Sequence, residues 1–387
     1  MEEHKSECFV YCNNVKELIK YIQDKRKINE FDLKFGTDGG GGFLKICLSV
    51  LSNRDELNSN SSNKKSRQIY KDGISANKFK DSGVKKLIIL GIISGTQENY
   101  KNISMLWSSL NLEHLEGTIA ADLKLANIMA GIMAHSCNFP CTWCDAPKED
   151  LSKCGNYRTV RSCSENSLAW QKDGNKKTNS KKFKSNAHAP IFSGNSDTEI
   201  IEIITPPELH LMIGSLNKIY DHMHSEFPEE AEEWAKSSGA DKDFYNGTAA
   251  FAGNSCKRLL DNIDFLRANC QLGCLKYVQC LEDLSNVVNS CFSYELDPKF
   301  EDYISKFKKS YLDLEISVTP KVHAIFFYVG YFCRKMKKGL GYYSEQPMES
   351  VHHDFNNTWM KYKVKATHKS YPMKLLKAVQ EYNSRHI

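Results

Sequence analysis

The sequence predicts a fold of the α/β class, and three features along the chain support this prediction. Two strand patterns at 31–51 flank a run of glycines, Gly39–Gly42. A continuously apolar segment at 86–93 has the length and β-branching of a buried strand. A fourth apolar segment at 118–121 leads directly into a helical pattern at 123–133. Strands that are followed by helices in this order are typical of α/β proteins.

The rest of the chain is predicted to be mainly helical, apart from one polar loop. Residues 1–30 form a short helical lead-in, because apolar residues recur there at helical spacing. Residues 52–80 are rich in Asn, Ser and Lys, which predicts a polar loop. The segment 255–292 has the clearest long helical pattern, and further helices are expected at 320–333 and 348–363.

Composition and charge limit the class of protein. The 387 residues, of which 41% are apolar and 26% charged, suit one large globular domain or two ordinary ones. The N-terminus lacks the apolar core of a signal peptide, and no apolar stretch approaches membrane-spanning length. We therefore expect an intracellular protein that does not cross a membrane. The net charge of +5 is compatible with a polyanionic partner. One lysine cluster is either solvated surface or a nucleic-acid contact: Lys176, Lys177, Lys181, Lys182 and Lys184.

The fourteen cysteines are not expected to form a disulfide framework, because the chain has no secretory signal. Most of them lie in apolar or helical surroundings and are expected to be buried thiols. Cys141 and Cys144 have the C-x-x-C spacing that places two thiolates on one zinc ion, although two such thiols also occur together by chance in a core. His323 lies just inside a helix opened by Pro320 and is either a third ligand or a core histidine.

Three carboxylates lie where a metal-dependent enzyme would need them. Asp38 ends a predicted strand in FGTDGGGG, where Asp-Gly is also a common hairpin turn. Asp122 follows another strand, at a position that equally suits a helix N-cap.

The third carboxylate lies on a late helix that Ser344 and Pro347 are predicted to open. Glu345 and Glu349 lie one turn apart on one face of this helix. The alternative interpretation is that this face is a solvated acidic surface without a metal. Two aspartates and one glutamate are the ligands with which two-metal phosphoryl transfer holds its ions, about 4 Å apart.

Several stretches occur in the same order as in a known family, from about residue 31 to 370. The chain resembles the catalytic core of the Transib-type DDE transposases and the catalytic subunit of the V(D)J recombinase that descends from them. The stretches are FGTDGGGG, AADLK, CTWCDAPK, TVRSCSEN, PPELHLMIG, FAGNSCKRLL, TPKVHAIFFYV and GYYSEQPMES. The pair CTWCDA and RSCSEN (Arg161–Asn166) is the most distinctive.

The resemblance implies an α/β fold with an RNase H-like core, a mixed sheet flanked by helices. A large, mostly helical, zinc-binding insertion would interrupt this core before the final catalytic helix. The implied domains are a lead-in at 1–30, the first part of the core at 31–135, the insertion at 136–340, and the catalytic helix and tail at 341–387.

The resemblance also implies an activity: nicking, hairpin formation and strand transfer on double-stranded DNA by a nuclear homodimer. Asp38, Asp122 and Glu349 would hold two Mg²⁺ or Mn²⁺ ions, with Glu345 as the alternative to Glu349. Within FAGNSCKRLL, the residues that match a family stretch near the nucleic acid are Asn254, Lys257 and Arg258. Asn254 also suits a helix cap, and the two cations also suit solvated surface.

The implied zinc site departs from the family pattern. Cys141, Cys144 and His323 match three of the ligands, but Tyr328 occupies the position of the second histidine. The fourth ligand stays open among Cys137, Cys333, His352, His353 and water.

The N-terminus is a second departure, because only about thirty residues precede the first strand where the family has a DNA-end-binding region. End recognition is then weak, absent, or supplied by a separate DNA-binding chain. Two rival functions follow. One is a catalytically inactive descendant that binds DNA or protein, and the other is an RNase H-superfamily metallonuclease that cuts without joining strands.

Overall fold

A computed structural model describes residues 8–52, 86–134, 136–192, 194–245 and 248–387. Residues 53–80 of the predicted polar loop therefore lie outside the described residues. Within them the strands are β1 (Cys8–Tyr11), β2 (Phe31–Gly40), β3 (Phe43–Ser52), β4 (Ile88–Ser94), β5 (Thr118–Ala120), β6 (Lys242–Tyr245) and β7 (Thr248–Phe251). The α-helices are α1 (Val15–Arg26), α2 (Tyr100–Ser109), α3 (Leu123–Met129), α4 (Val160–Lys172), α5 (Ile200–Ile203), α6 (Glu208–Glu226), α7 (Pro228–Ser237), α8 (Gly253–Asp261), α9 (Ile263–Asn269), α10 (Leu275–Val287), α11 (Phe300–Leu312), α12 (Pro320–Ala324), α13 (Gly330–Met336), α14 (Gln346–Trp359) and α15 (Tyr371–Ser384).

The chain divides into two compact units. The first, here the sheet unit, comprises Met1–Cys137, Tyr157–Thr205 and Tyr343–Ile387. The second, here the helical unit, comprises Asn138–Asn156 and Pro206–Tyr342. The stretch 157–205, which the sequence analysis assigned to the insertion, is thus grouped with the sheet.

The sheet unit contains a mixed five-stranded sheet in the order β1-β4-β3-β2-β5. Strands β1, β4, β3 and β2 pair antiparallel, whereas β5 pairs parallel to β2. A parallel bridge between Ile119 and Ile204 extends the pairing beyond β5. This mixed sheet with flanking helices confirms the α/β class. Strand β1 was not predicted, because four residues are too few for a periodic signal.

The hairpin between β2 and β3 turns at Gly41 and Gly42. Their φ angles are +59° and +84°, which only glycine adopts without strain. Two residues with positive φ are the two-residue connection that matches the twist of paired strands. Asp38 therefore lies inside β2, opposite Lys45 of β3, and is not part of the turn.

Helix α14 packs directly against one face of β2. Along that face the residues alternate Lys34, Gly36, Asp38 and Gly40, and a Cβ at Gly36 would collide with Met348. The absence of side chains at the glycines lets the helix approach the strand closely. Helices α14 and α15 also enclose the main apolar cluster of this unit. It consists of Cys8, Phe43, Cys47, Leu87, Ile89, Ile92, Met348, Val351, Phe355, Trp359, Tyr371, Leu375, Ala378, Val379 and Tyr382.

The helical unit consists of helices α6 to α13 and the β6–β7 hairpin. Pro320 opens α12, and the Thr319 hydroxyl caps it by accepting the Val322 N–H at 3.3 Å. A π-helical segment, Ile325–Val329, then joins α12 to α13, so one continuous helical segment runs to Met336. None of the described helices has both the length and the apolar character needed to span a membrane.

Candidate metal sites

Of the two predicted catalytic aspartates, Asp38 lies near the carboxyl end of β2 and Asp122 follows the neighbouring strand β5. Strands β2 and β5 run parallel, and Gly36 pairs with Ala120. Asp38 and Asp122 each come two residues after a member of this pair, so both lie at the carboxyl ends of adjacent parallel strands. Because such ends meet at one edge of a sheet, the fold brings the two aspartates to the same edge.

Asp122 also caps helix α3. Its Oδ1 accepts the Leu125 N–H at 2.7 Å, as the capping interpretation predicted. A carboxylate has about four lone-pair positions, so one capping bond leaves it able to bind a cation as well. The two interpretations of Asp122 are therefore compatible.

Asp38 is held by a short chain of side chains. His352 Nε2 lies 2.5 Å from Asp38 Oδ2, and His352 Nδ1 lies 2.5 Å from the ammonium of Lys45. Asp38 and His352 are only 20% and 16% exposed, so these contacts are shielded from water. Burial lowers the pKa of Lys45 to about 8, although the nearby Cys47 and Asp38 act in the opposite direction.

Helix α14 orders the glutamate candidates along β2. The Lys34 ammonium donates to Ser344 O at 2.9 Å, whereas His352 contacts Asp38 four strand positions further on. Glu349 lies three residues before His352, about 4.5 Å along the helix axis, and Glu345 lies about 10 Å before it. Glu345 is also 3% exposed, whereas Glu349 is exposed. Glu349 is therefore nearer than Glu345 to the part of α14 that contacts Asp38.

A further carboxylate, Glu98, lies beside these residues and was missed in the sequence analysis. A Cβ at Gly39 would collide with the Glu98 side chain, and Glu98 forms an ion pair with Lys124. A cavity of about 400 Å³ is lined by these residues together with Gly40. Glu98 follows β4 in a polar loop, and only tertiary pairing places that loop next to the end of β2. The sequence around it (GTQENY) carries no recognisable signal.

The structure does not bring all of the predicted ligands close enough together to bind a metal ion. Among the described residues, only Cys141, Cys144 and His323 form a group whose ligand atoms all lie within 4.8 Å of one another. Asp38 and Asp122 lie towards the same edge of the sheet and Glu349 lies on α14, but the three carboxylates do not form such a group.

The cluster of Cys141, Cys144 and His323 lies wholly within the helical unit and is buried. Cys144 Sγ lies 3.4 Å from His323 Nε2. The backbone N–H groups of Trp143 and Ala146 each donate to a cysteine sulfur at 3.3 Å. These donors stabilise negative charge on sulfur, as metal-bound thiolates require.

The surroundings of the cluster prepare its ligand atoms for a metal. Hydrogen bonds from Cys141 and Cys154, together with His323, hold the pKa of Cys144 well below its usual value. His323 Nδ1 lies 2.7 Å from Leu151 O, and a carbonyl there requires Nδ1 to carry the hydrogen. This tautomer presents the Nε2 lone pair to the cysteines, as the outer contacts of zinc-bound histidines usually do.

Tyr328, which occupies the position of the second histidine, lies next to both His323 and Cys154. The ring of Tyr328 lies 5.6 Å from that of His323, and the Tyr328 hydroxyl is 3.3 Å from Cys154 Sγ. The spacing of five residues brings His323 and Tyr328 together because a π-helical segment bonds residues five apart. Cys154 was missed in the sequence analysis, because no ligand spacing links it to Cys141 or Cys144.

The other proposed fourth ligands have different surroundings. Cys333 donates to the Cys291 carbonyl at 4.0 Å in the helical unit. Cys137 donates to Met133 O at 3.9 Å in the sheet unit. His352 contacts Asp38 and Lys45, and His353 is exposed on α14. None of these contacts involves the cysteine cluster.

The candidate DNA-binding residues are exposed in both units. Asn254, Lys257 and Arg258 lie at i, i+3 and i+4 on α8 and share one exposed face. Ala252 is the N-cap of α8, so the capping interpretation of Asn254 was wrong. In the sheet unit, four lysines of the predicted cluster are exposed: Lys176, Lys177, Lys181 and Lys182.

Comparison of the chain with protein-family models finds no matching family, and comparison with curated proteins finds no match.

Proposed function

We propose that this chain is the catalytic core of a DDE-type DNA transposase, which nicks DNA and transfers the strand. The observation that carries the proposal is the placement of Asp38 and Asp122 at the ends of adjacent parallel strands, with α14 crossing beside Asp38. An RNase H-like core requires a mixed sheet flanked by helices, with acidic side chains at such an edge. The sheet unit has this arrangement.

Asp38, Asp122 and Glu349 are the residues that would hold two Mg²⁺ or Mn²⁺ ions. Carboxylate oxygens are the hard ligands that these ions prefer. When bound, the ions would activate the attacking oxygen and stabilise the leaving oxygen of the phosphodiester. His352 orients Asp38 from one side, and Gly39 and Gly40, which follow Asp38 in β2, line a cavity of about 400 Å³.

Cys141, Cys144 and His323 are proposed to hold a structural zinc ion. Thiolate and imidazole ligands suit Zn²⁺ rather than Mg²⁺, so the two sites would select different metals. Zinc would join the segment 138–156 to α12, two parts of the helical unit that are distant in sequence.

Double-stranded DNA is the proposed partner, contacted by Asn254, Lys257, Arg258 and the exposed lysines. Such contacts go mainly to phosphates and carry little sequence information. A homodimer in the nucleus, with or without a separate DNA-binding chain, completes the proposal.

The test is cleavage of labelled duplex DNA, supercoiled or pre-nicked, in Mg²⁺ or Mn²⁺. Wild type is compared with Asp38→Ala, Asp122→Ala, Glu349→Ala and Glu345→Ala. We expect the first three substitutions to abolish cleavage and joining. Glu345→Ala serves as the matched control on the same helix and should keep most of the activity, provided that circular dichroism shows each variant to be folded.

Other outcomes identify the rival functions. Cleavage without strand-transfer products from a pre-nicked end would indicate a metallonuclease that does not join strands. DNA binding without cleavage in folded wild type would indicate an inactive descendant. Full activity in Asp38→Ala or Asp122→Ala would rule out the proposed mechanism.

A further inference from the structure

The zinc site proposed above has three ligands where a structural zinc ion takes four. Structural zinc sites are almost always tetrahedral, with Zn–S bonds near 2.3 Å and Zn–N bonds near 2.0–2.1 Å. These lengths make the sulfur–nitrogen edge of the tetrahedron about 3.6 Å. The observed 3.4 Å between Cys144 Sγ and His323 Nε2 is close to that edge. The pair is therefore spaced for a shared ion, which leaves one corner to assign.

Two side chains lie next to the three-ligand cluster. Cys154 follows the short 3₁₀ segment Lys148–Asp150, and its thiol is within hydrogen-bonding reach of Cys144. Its sulfur also lies 3.3 Å from the hydroxyl of Tyr328, the residue at the position of the missing histidine. Cys154 thus lies next to both an assigned ligand and the place where the fourth ligand is expected.

The chemistry favours the thiol over the phenol. Tyr328 is fully buried, and its hydroxyl lies 3.3 Å from the Cys154 sulfur, to which it can donate a hydrogen bond. Thiolate is a preferred ligand of Zn²⁺, and the usual structural sets include three cysteines with one histidine. A phenol that donates to a bound thiolate plays the part of an outer contact, which orients a ligand without touching the metal.

We infer that Cys154 is the fourth zinc ligand, so that Cys141, Cys144, Cys154 and His323 form a Cys₃His site. Tyr328 donates a hydrogen bond to the Cys154 sulfur in this site. The inference rests on the zinc site proposed above and is independent of the proposed DNA chemistry. On binding, any protons still held by the three cysteines pass to solvent, and the ion takes their place as the partner of the sulfurs.

Metal content and cobalt spectroscopy of the whole chain test this inference. Wild type should hold one zinc per chain. Cys154→Ser should weaken zinc binding by about 100-fold or more, since removal of a ligand exceeds the effect of removing an outer hydrogen bond. In the Co²⁺-substituted protein, the sulfur-to-metal charge-transfer absorption should fall by about one third, because two of three thiolates remain.

Two controls keep the inference falsifiable. Cys270→Ser removes a partly buried thiol elsewhere in the helical unit and should change neither zinc binding nor the cobalt spectrum. Tyr328→Phe removes the hydroxyl alone and should weaken binding by about 10-fold with the full cobalt absorption kept.

Each opposite result overturns the inference. If Cys154→Ser binds zinc and cobalt as wild type does, Cys154 is not a ligand. If Tyr328→Phe loses the metal and Cys154→Ser keeps it, the phenol is the ligand. If wild type holds no zinc, the proposed zinc site itself fails, whereas DNA cleavage is decided separately by the carboxylate variants.

Discussion

At the scale of single residues, the sheet unit keeps a charged lysine in its interior. Lys45 is 1% exposed and lies opposite Asp38 on the neighbouring strand. Its ammonium contacts the ring of His352, which in turn contacts Asp38. This chain of contacts holds the Asp38 side chain in place beside an apolar cluster. Burial disfavours the charged form of Lys45 and thereby lowers its pKa.

The lowered pKa predicts that stability depends on pH in a defined window. The pKa of Lys45 is about 8 in the folded protein and 10.5 when unfolded. Between these values the unfolded chain binds the extra proton, so stability rises with pH. The loss of stability caused by burying protonated Lys45 is complete below pH 8 and decreases as the pH rises towards 10.5. For a shift of this size the gain in the free energy of unfolding is at most about 3.4 kcal/mol.

Urea unfolding of wild type and Lys45→Met, in chelator and reductant, measures this effect. The stability of wild type relative to the variant should increase between pH 7.5 and 10, because other titrating groups cancel in the difference. If the difference in free energy of unfolding between the two proteins is constant across this range, the pKa of Lys45 is not lowered in the folded protein.

At the scale of elements, the position of α14 depends on small residues along β2. Gly36 gives Met348 room, and Met348 is 2% exposed and cannot move into solvent without disturbing the cluster behind it. The same packing places His352 beside Asp38 one turn later. The catalytic geometry proposed here is thus set by a strand–helix contact, in which the absence of a side chain is the deciding feature.

Gly36→Ala should destabilise the protein by about 1–3 kcal/mol, because it overpacks this contact. Adding Met348→Ala should recover part of the stability and give a favourable coupling energy in a double-mutant cycle. Gly330→Ala is the matched control: it meets only Ile304 at 3.5 Å inside a helical segment and should be neutral or stabilising. Additive effects of Gly36→Ala and Met348→Ala would contradict the proposed clash.

At the largest scale, each unit has its own candidate metal ligands and its own exposed basic residues. The sheet unit has oxygen ligands at the edge of its sheet and exposed lysines at 176–182. The helical unit has the sulfur and nitrogen cluster and the exposed face of α8. Hard and soft ligand sets select different ions, so Mg²⁺ and Zn²⁺ need not compete.

The lysine cluster should contribute to DNA affinity through phosphates. Replacing Lys177, Lys181 and Lys182 with glutamine should weaken binding to any duplex sequence. It should also reduce the slope of log K against log salt by about 0.9 for each phosphate that the variant no longer neutralises. The control replaces three exposed lysines of the helical unit, Lys299, Lys306 and Lys309, with the same change in charge. Equal effects from both sets would indicate only a general dependence on net charge.

The class of the fold and most of the candidate ligands could be predicted from residue patterns in the sequence. Periodicity and glycine placement located β2, β3, β4 and β5, because buried strands and turns depend on local residue types. The C-x-x-C spacing also predicted Cys141 and Cys144 as a pair of ligands, because this pattern is local in sequence. Strands β2 and β5 are far apart in sequence, and they become neighbours only by pairing in the sheet. This pairing is also what brings Asp38 and Asp122 near each other.

The residues that lie beside each candidate site from distant parts of the chain could not be predicted in this way. Glu98 reaches Gly39, and Cys154 reaches Cys144 and Tyr328, through contacts with no fixed sequence spacing. The edge strand β1 was missed for a related reason, since four residues gain a strand conformation only by pairing with β4. Local sequence determines which elements form, whereas long-range packing decides which of their side chains meet, because that depends on the whole core at once.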